Sequence, residues 1–236
     1  MPATTLIQLS MSMLTVMQLS ILVPMLVVWV RRREFPPAVK VLSWYVYLSA
    51  FCVLGLRFFA PNDNSLYLIC FNVGKIALFA TVYYKMVASA RMRQLVLITT
   101  LAALAVCIGL TGSGLFTHSF DLAVVVSRVT QSAVLAAFAL VYFEQMLSHS
   151  NKVPYARDPI WLLSVGQLLY SAGTVTAFSL DYLSRTKYEQ APKWIFISII
   201  GIIFNVFLTL AFWRAKPLPA VATDAETPPA GQLARA

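Results

Sequence analysis

The chain has 236 residues, of which 59% are hydrophobic and only 11% are charged, with a formal net charge of +9. Soluble domains carry about 25% charged residues, so this balance excludes an ordinary soluble protein and indicates an all-α integral membrane bundle. The positive charge does not indicate a nucleic-acid partner, because the basic residues fall in short segments between apolar runs.

Seven apolar runs follow one another along the chain, and a helix of about 20 residues is long enough to cross a bilayer. Their predicted limits are residues 5–30, 39–60, 65–87, 94–111, 119–147, 159–182 and 193–214. Pro36 and Pro37 precede the second run, and Asp158 with Pro159 gives the sixth a capping residue followed by proline at its first helical position. Residues 1–215 are therefore predicted to form a seven-helix transmembrane domain.

The loops on the two sides of this bundle differ in their basic residues. One side carries Arg31, Arg32, Arg33, Lys40, Lys85, Arg91, Arg93, Lys152, Arg157, Arg214, Lys216 and Arg235, and the other carries Arg57, Arg185, Lys187 and Lys193. The positive-inside rule places the richer side in the cytoplasm, with the N-terminus outside, in the inner membrane of a bacterial-type cell. Residues 216–236, rich in Pro, Ala and Thr, are predicted to form a disordered cytoplasmic tail.

Lys75 and Arg128 lie well inside predicted spans, whereas the other basic residues fall in loops, in the tail or near span ends. A lysine at the bilayer centre costs roughly 2.5–3.5 kcal/mol on insertion scales, so it is expected to face protein or a watery cavity. With the N-terminus outside, Lys75 lies about 15 Å below Ser65, and Arg128 lies about 12 Å below Phe120. These similar depths predict one cavity that is open to the outside. Asp121 shares a helical face with Arg128 but lies roughly 10 Å higher, a distance that allows screening only through water.

Polar side chains recur at helical spacing around these two cations. The candidate ligand-binding residues are Lys75, Arg128, Asn72, Asp121, Gln131, Tyr170 and Asn205. One interpretation is a pocket for an anionic group, such as a carboxylate or a lipid phosphate. The other is that the cations snorkel or pair with carbonyl groups and Asp121, while the polar residues hold helices together at about 0.6 kcal/mol each. Close helix contacts are also predicted at Gly55, Gly74, Gly109, Gly166, Gly173 and Gly201.

Signatures of enzymes, cofactors and metal sites are absent from the sequence. His118 and His149 fall in loops on opposite sides of the membrane, and no HExxH, GxSxG or P-loop pattern occurs. The three cysteines all lie in apolar runs, which disfavours a disulfide framework. A retinal protein would need a lysine in the middle of the seventh run, where none occurs. We therefore expect no enzymatic activity, no cofactor and no bound metal.

Three stretches carry a resemblance to a known group: SLYLICFNVGKIALFATVYYKM, RDPIWLLSVGQLLYSAG and WIFISIIGIIFNVFLTLAFW. They resemble a family of uncharacterised bacterial seven-helix membrane proteins. Members share an aromatic-rich third span ending in a Tyr pair, a sixth span with a Pro-aromatic opening followed by a Tyr-Ser/Gly step, and an Asn in the seventh. The resemblance covers most of the chain and implies a fold but no activity. An acidic residue commonly sits near the position of Lys75 in that group, and this chain departs from it there.

These observations favour a receptor-like or sensory membrane protein that binds a small anionic or lipidic ligand in an outward-facing cavity. Membrane lipid, an anionic small molecule, and a membrane or cytoplasmic protein are the expected partners. A small-solute transporter is the first alternative, although only Pro24 interrupts a span as broken transporter helices do. A non-catalytic scaffold subunit, whose Lys75 and Arg128 meet acidic residues of a partner chain, is the second.

Overall fold

The computed structural model describes residues 3–58, 65–117, 120–148, 158–181 and 187–215, and within these ranges the chain is helical with no strand. The helices are α1 (Ala3–Ser20), α2 (Leu22–Arg31), α3 (Pro37–Phe58), α4 (Ser65–Met86), α5 (Ala90–Thr117), α6 (Asp121–Ser148), α7 (Pro159–Asp181) and α8 (Lys187–Arg214). A 3₁₀ turn at Arg32–Glu34 joins α2 to the segment before α3. The all-α prediction is confirmed, and the tail at 216–236 lies outside the described residues.

Among the described residues, six segments are long and apolar enough to cross a membrane, which indicates an integral membrane protein. They are Thr4–Glu34, Ser65–Met86, Ala90–Gly114, Ala123–Ser148, Pro159–Phe178 and Gln190–Arg214. The bundle also exposes apolar side chains to its surroundings, as at Leu101 and Ile108 of α5, which are 58% and 65% exposed. Such a surface is suited to contact with lipid.

The predicted span at 39–60 corresponds to α3, which is apolar over the shorter stretch Pro37–Val53 and is not among the six segments above. Side chains of α3 beyond Val53 lie outside the described residues. The helix nevertheless packs along α4 and against α2, as a member of the bundle would. A count of seven spans and the orientation of the termini therefore stay predictions.

Six helices are arranged as a ring, in the order α1, α8, α7, α6, α4 and α3, each packed against the next. α5 lies outside this ring and packs against α4 and α6. α2 closes one end of the ring, because it packs against both α8 and α3. The interior of the ring contains the aromatic side chains Tyr45, Phe79 and Phe204, all of which are buried.

A break at Ile21 divides the first membrane segment into α1 and α2. Pro24 causes this break, because it has no N–H to donate to the carbonyl group of Ser20 and its ring crowds that carbonyl. Asn205 of α8 braces the break: its amide donates hydrogen bonds to the Ser20 hydroxyl at 2.6 Å and to the Met17 carbonyl at 3.5 Å. The kink is therefore a fixed feature held by a neighbouring helix.

The opposite end of α8 is fastened by Arg31. Its guanidinium donates hydrogen bonds to the carbonyl oxygens of Trp213 and Ala215, and it forms an ion pair with Glu34 at 3.1 Å. The last carbonyl groups of a helix have no partner within the helix, and a positive charge there also interacts favourably with the helix dipole. Arg31 thus ties the 3₁₀ turn to the C-terminus of α8.

The start of α7 follows the predicted capping pattern. The Asp158 carboxylate accepts a hydrogen bond from the backbone N–H of Ile160 at 2.8 Å, with Pro159 at the first helical position. The same carboxylate accepts a hydrogen bond from the Tyr142 hydroxyl of α6. This cap both begins α7 and fixes it against its neighbour.

Glycines allow close approach at four of the six predicted positions. A Cβ atom would lie 2.6 Å from Phe207 Cβ at Gly166, 2.5 Å from Met17 Sδ at Gly201, 2.0 Å from Ile200 at Gly173 and 2.7 Å from Leu48 at Gly74. The prediction is wrong for Gly109, where an added Cβ atom would meet no other part of the structure within 4 Å, because this residue is on the outer face of α5. The surroundings of Gly55 lie outside the described part of the chain.

We expect Gly166→Ala to lower the free energy of unfolding by about 1–3 kcal/mol, because the added methyl group meets Phe207 Cβ, which moves only with its backbone. Gly109→Ala is the matched control. Its methyl group enters open space, so the better helix propensity of alanine should leave stability unchanged or raise it by up to about 1 kcal/mol. Unfolding in one detergent checks both, and equal effects of the two substitutions would contradict the close α7–α8 packing.

Candidate functional site

A cavity of about 270 Å³ lies inside the ring, at the end where α4, α6 and α8 begin. All six ring helices contribute to its wall, which is mainly apolar and aromatic. Tyr67 and Phe71 of α4, Phe178 of α7 and Trp194 of α8 are among its aromatic lining residues. If α4, α6 and α8 run inward, as predicted from the basic loops, the cavity lies in the outer half of the membrane.

Arg128 is the charged residue in the described wall of this cavity, which contains no Asp or Glu. It is half-buried on α6, and its guanidinium carbon lies 4.9 Å from the centre of the Phe178 ring. Within the described residues, its guanidinium N–H groups make no hydrogen bond and no ion pair. A planar group with five donors therefore faces an apolar cavity with those donors unused.

Lys193 is also close to this ring. Its ammonium nitrogen is 5.1 Å from the centre of the Phe178 ring and 4.8 Å from that of Trp194. Phe178 is thus near two cations, one from α6 and one from α8. The sequence had assigned Lys193 to an external loop, and the structure places it within α8, beside the cavity-lining Trp194.

Lys75 is only 1% exposed and lies within a cage of four aromatic rings. Its ammonium nitrogen lies 4.3 Å from the ring centre of Tyr170, 4.8 Å from Phe204, 5.3 Å from Tyr45 and 5.6 Å from Phe79. Among the described residues it forms no hydrogen bond and no ion pair. The negative faces of the rings therefore provide its electrostatic stabilisation.

The cage around Lys75 is also the floor of the cavity. Tyr45, Tyr170 and Phe204 line the cavity on one side and contact the lysine on the other, whereas Lys75 itself does not line it. Arg128 lies close enough to Lys75 for their positive charges to repel each other. The cavity thus has one cation in its wall and another beneath its floor, without an acidic residue among its described lining.

Three of the seven predicted ligand residues line the cavity: Arg128, Tyr170 and Asn205. Lys75 adjoins it through the aromatic floor. Asn72 and Gln131 are buried away from it, and the Asn72 amide donates a hydrogen bond of 2.9 Å to the Ser127 hydroxyl, joining α4 to α6. Asp121 is the first residue of α6, and its side chain lies outside the described part of the structure.

Polar groups beyond the predicted set are buried between α6 and α7. The Gln167 amide donates a hydrogen bond to Ser171 at 2.8 Å, while its carbonyl oxygen and the Ser132 hydroxyl have no partner in the structure. Buried polar atoms normally find partners. These two atoms show that the interior of the bundle is polar as well as aromatic.

Tyr45, Phe178 and Phe204 were not among the residues predicted to form the site. A usable signal existed on α7, where Tyr170, Thr174 and Phe178 recur every four residues and all face the cavity. Aromatic residues inside apolar spans are usually part of the packed interior, so their relation to Lys75 appears only when α3, α7 and α8 are brought together.

No group of three His, Cys, Asp or Glu side chains suited to a metal ion occurs among the described residues. His118 and His149 fall outside them. Comparisons with protein-family models, with curated proteins and with solved structures gave no match. The function is therefore inferred from the cavity and its two cations.

We expect Lys75→Met to raise the free energy of unfolding by about 1–3 kcal/mol. Methionine fills a similar volume and removes a buried charge that costs roughly 2.5–3.5 kcal/mol, against cation–π interactions of about 0.5–2 kcal/mol that are lost. Ile76→Met, at an equally buried neighbouring position, is the control for the methionine side chain. Thermal unfolding in one detergent measures both, and a less stable Lys75→Met protein would show that the lysine serves packing.

Proposed function

We propose that this protein is a receptor-like or sensory membrane protein that binds an amphipathic anion in the cavity of the helix ring. In this proposal seven helices cross a bacterial-type inner membrane, with the N-terminus outside and the C-terminus in the cytoplasm. The cavity then opens toward the outer side. The excess of basic residues in one set of loops supports this orientation.

The observation that carries the proposal is the guanidinium of Arg128, which faces an apolar cavity without an acidic partner in the described structure. A guanidinium binds a carboxylate or phosphate through paired N–H groups, and such bonds are stronger where water is excluded. The neighbouring cation Lys75 adds to the positive potential. An anionic group is therefore the complementary part of a ligand.

The rest of the cavity indicates an apolar body for that ligand. Leu14 and Met17 of α1, Ile197 of α8 and Val53 of α3 supply much of the lining. A volume of about 270 Å³ lies at the lower end of the range of ligand pockets, about 300–1,000 Å³. The ligand is therefore small, or a part of it extends outside the cavity.

A sensory role is supported by the path of α8. This helix lines the cavity from Trp194 to Asn205, and its far end is held by Arg31 through the carbonyl groups of Trp213 and Ala215. A shift of α8 caused by a ligand would therefore displace the 3₁₀ turn on the opposite side of the bundle. Such a rigid helix shift is a common element of signalling transitions.

We expect sodium octanoate to stabilise the protein in lipid nanodiscs. At about 100 times its dissociation constant a ligand adds about 2.7 kcal/mol, which corresponds to a rise in unfolding temperature of roughly 5–10 °C. Arg128→Gln should lose most of this rise, because glutamine keeps hydrogen-bonding capacity but not the charge.

Two controls accompany this measurement. 1-Octanol has the same chain without the anion and should give a much smaller rise. Arg32→Gln removes another arginine stacked on an aromatic ring, 4.6 Å from the centre of Trp44 and remote from the cavity, and should keep the full response. Equal stabilisation by octanol, or an undiminished response of Arg128→Gln, would contradict an anion site at Arg128.

The topology is tested separately with one epitope tag on each terminus. In right-side-out membrane vesicles we expect a protease to remove the N-terminal tag and leave the C-terminal tag intact, with the reverse result in inverted vesicles. Equal accessibility of both tags would indicate an even number of spans, and α3 would then not cross the membrane.

A further inference from the structure

The wall of the cavity is incomplete between α1 and α3. Both helices line the cavity, α1 through residues such as Leu14 and Met17 and α3 through Ser49 and Val53. Among the described residues, however, α1 packs along α8 and not along α3. Every other neighbouring pair in the ring is packed together, so the gap between α1 and α3 is the one lateral opening that the described helices leave.

The kink at Pro24 explains why this gap exists. On one side of the break, α2 packs against both α3 and α8 and closes the ring. On the other side α1 follows α8 alone, held there by the Asn205 hydrogen bonds to Ser20 and Met17 and by the close approach of Met17 to Gly201. A straight first helix could not pack against α3 on one side of Ile21 and diverge from α3 on the other side.

The gap lies at a depth where the surroundings are lipid chains. Leu14 is about 16 Å along the helix from Ala3, well inside a hydrocarbon core that is about 30 Å thick. Met11 and Val16 on the outer face of α1 are 67% and 51% exposed, and Phe51 of α3 is 64% exposed. The margins of the opening are thus apolar and face the bilayer, while Arg128 lies inside the ring.

We propose that the gap between α1 and α3 is a lateral portal through which a single-chain lipid anion, such as a fatty acid, enters from the bilayer. Its anionic group binds Arg128, and its chain extends outward between Leu14 and Val53. This inference rests on the proposed function and specifies the ligand class and its route. The small cavity volume fits this arrangement, because only the anionic end and the first part of the chain need to lie inside.

The portal is tested by closing it with a cross-link. In a protein whose native Cys52, Cys70 and Cys107 are replaced by alanine, Leu14→Cys and Val53→Cys are joined by a short reducible bis-thiosulfonate reagent. The probe is a conjugated tetraene C18 fatty acid, whose fluorescence rises in an apolar site, added to the protein in nanodiscs. The same sample after reduction is the matched control.

We expect the cross-linked protein to bind the C18 acid at least tenfold more weakly than the reduced protein, because its chain has no way through the wall. Because Leu14 and Val53 line the cavity, octanoate is compared between the cross-linked and reduced forms of this same variant. Octanoate is short enough to lie within the cavity, so the cross-link should change its stabilising effect far less than it changes binding of the C18 acid. Equal binding of the C18 acid by both forms, with octanoate stabilisation retained, would overturn the portal and leave the anion site standing. Loss of octanoate stabilisation in the unmodified protein would instead overturn the proposed function.

A second measurement does not depend on the cysteine variants. A C18 fatty acid carrying a diazirine at the end of its chain is photolysed with the unmodified protein, and the labelled peptides are identified by mass spectrometry. The portal predicts labels on α1 and α3 that 1 mM octanoate suppresses. Labels confined to the exposed face of α5, or labels that octanoate does not reduce, would overturn it.

Discussion

The main constraint on the described interior of this protein is the energetic cost of burying positive charge away from water and from acidic side chains. Lys75 and Arg128 meet this cost differently. Lys75 is surrounded by aromatic faces, which attract a cation without adding a charge of their own. Arg128 stacks on Phe178 and turns the remainder of its guanidinium to a cavity. The packing of α3, α4, α7 and α8 around one lysine follows from this need.

Local chemistry made most of the fold predictable. Helix limits were anticipated to within a few residues where a clear signal occurs, as at Asp158 and Pro159, whose cap forms as expected. Pro24 marked the break in the first segment. The order of helices in the ring was not predictable from the sequence. Lipid chains do not distinguish the apolar surfaces of different helices, so the choice of neighbouring helices depends on how well their surfaces fit together. Gly109 illustrates this, since a glycine in a span does not reveal whether another helix lies against it.

The candidate site was predictable to the extent that charge is rare in a bilayer. Lys75 and Arg128 stood out in the sequence because a charged side chain within a bilayer is energetically costly. In the structure Arg128 lies in the wall of the cavity, and Lys75 lies beneath its aromatic floor. Asn72 has the same polarity as Asn205, yet it bonds Ser127 within the bundle while Asn205 lines the cavity and braces the kink. Tertiary packing determines whether an amide side chain contacts a neighbouring helix or lines a cavity. It also determines which aromatic rings surround the lysine.

The kink in the first segment and the two cations both shape the cavity. The break at Ile21 lets α2 pack against both α3 and α8 while α1 follows α8 alone. In the proposed binding mode, a lipid anion would reach Arg128 without leaving the bilayer, and its negative charge would weaken the repulsion that Arg128 exerts on Lys75. Occupancy of the cavity would thereby be linked to the charge beneath its floor. Because Phe204 and Asn205 are adjacent on α8, the lysine cage and the brace of the kink belong to one helix, and this helix would transmit the change to its far end.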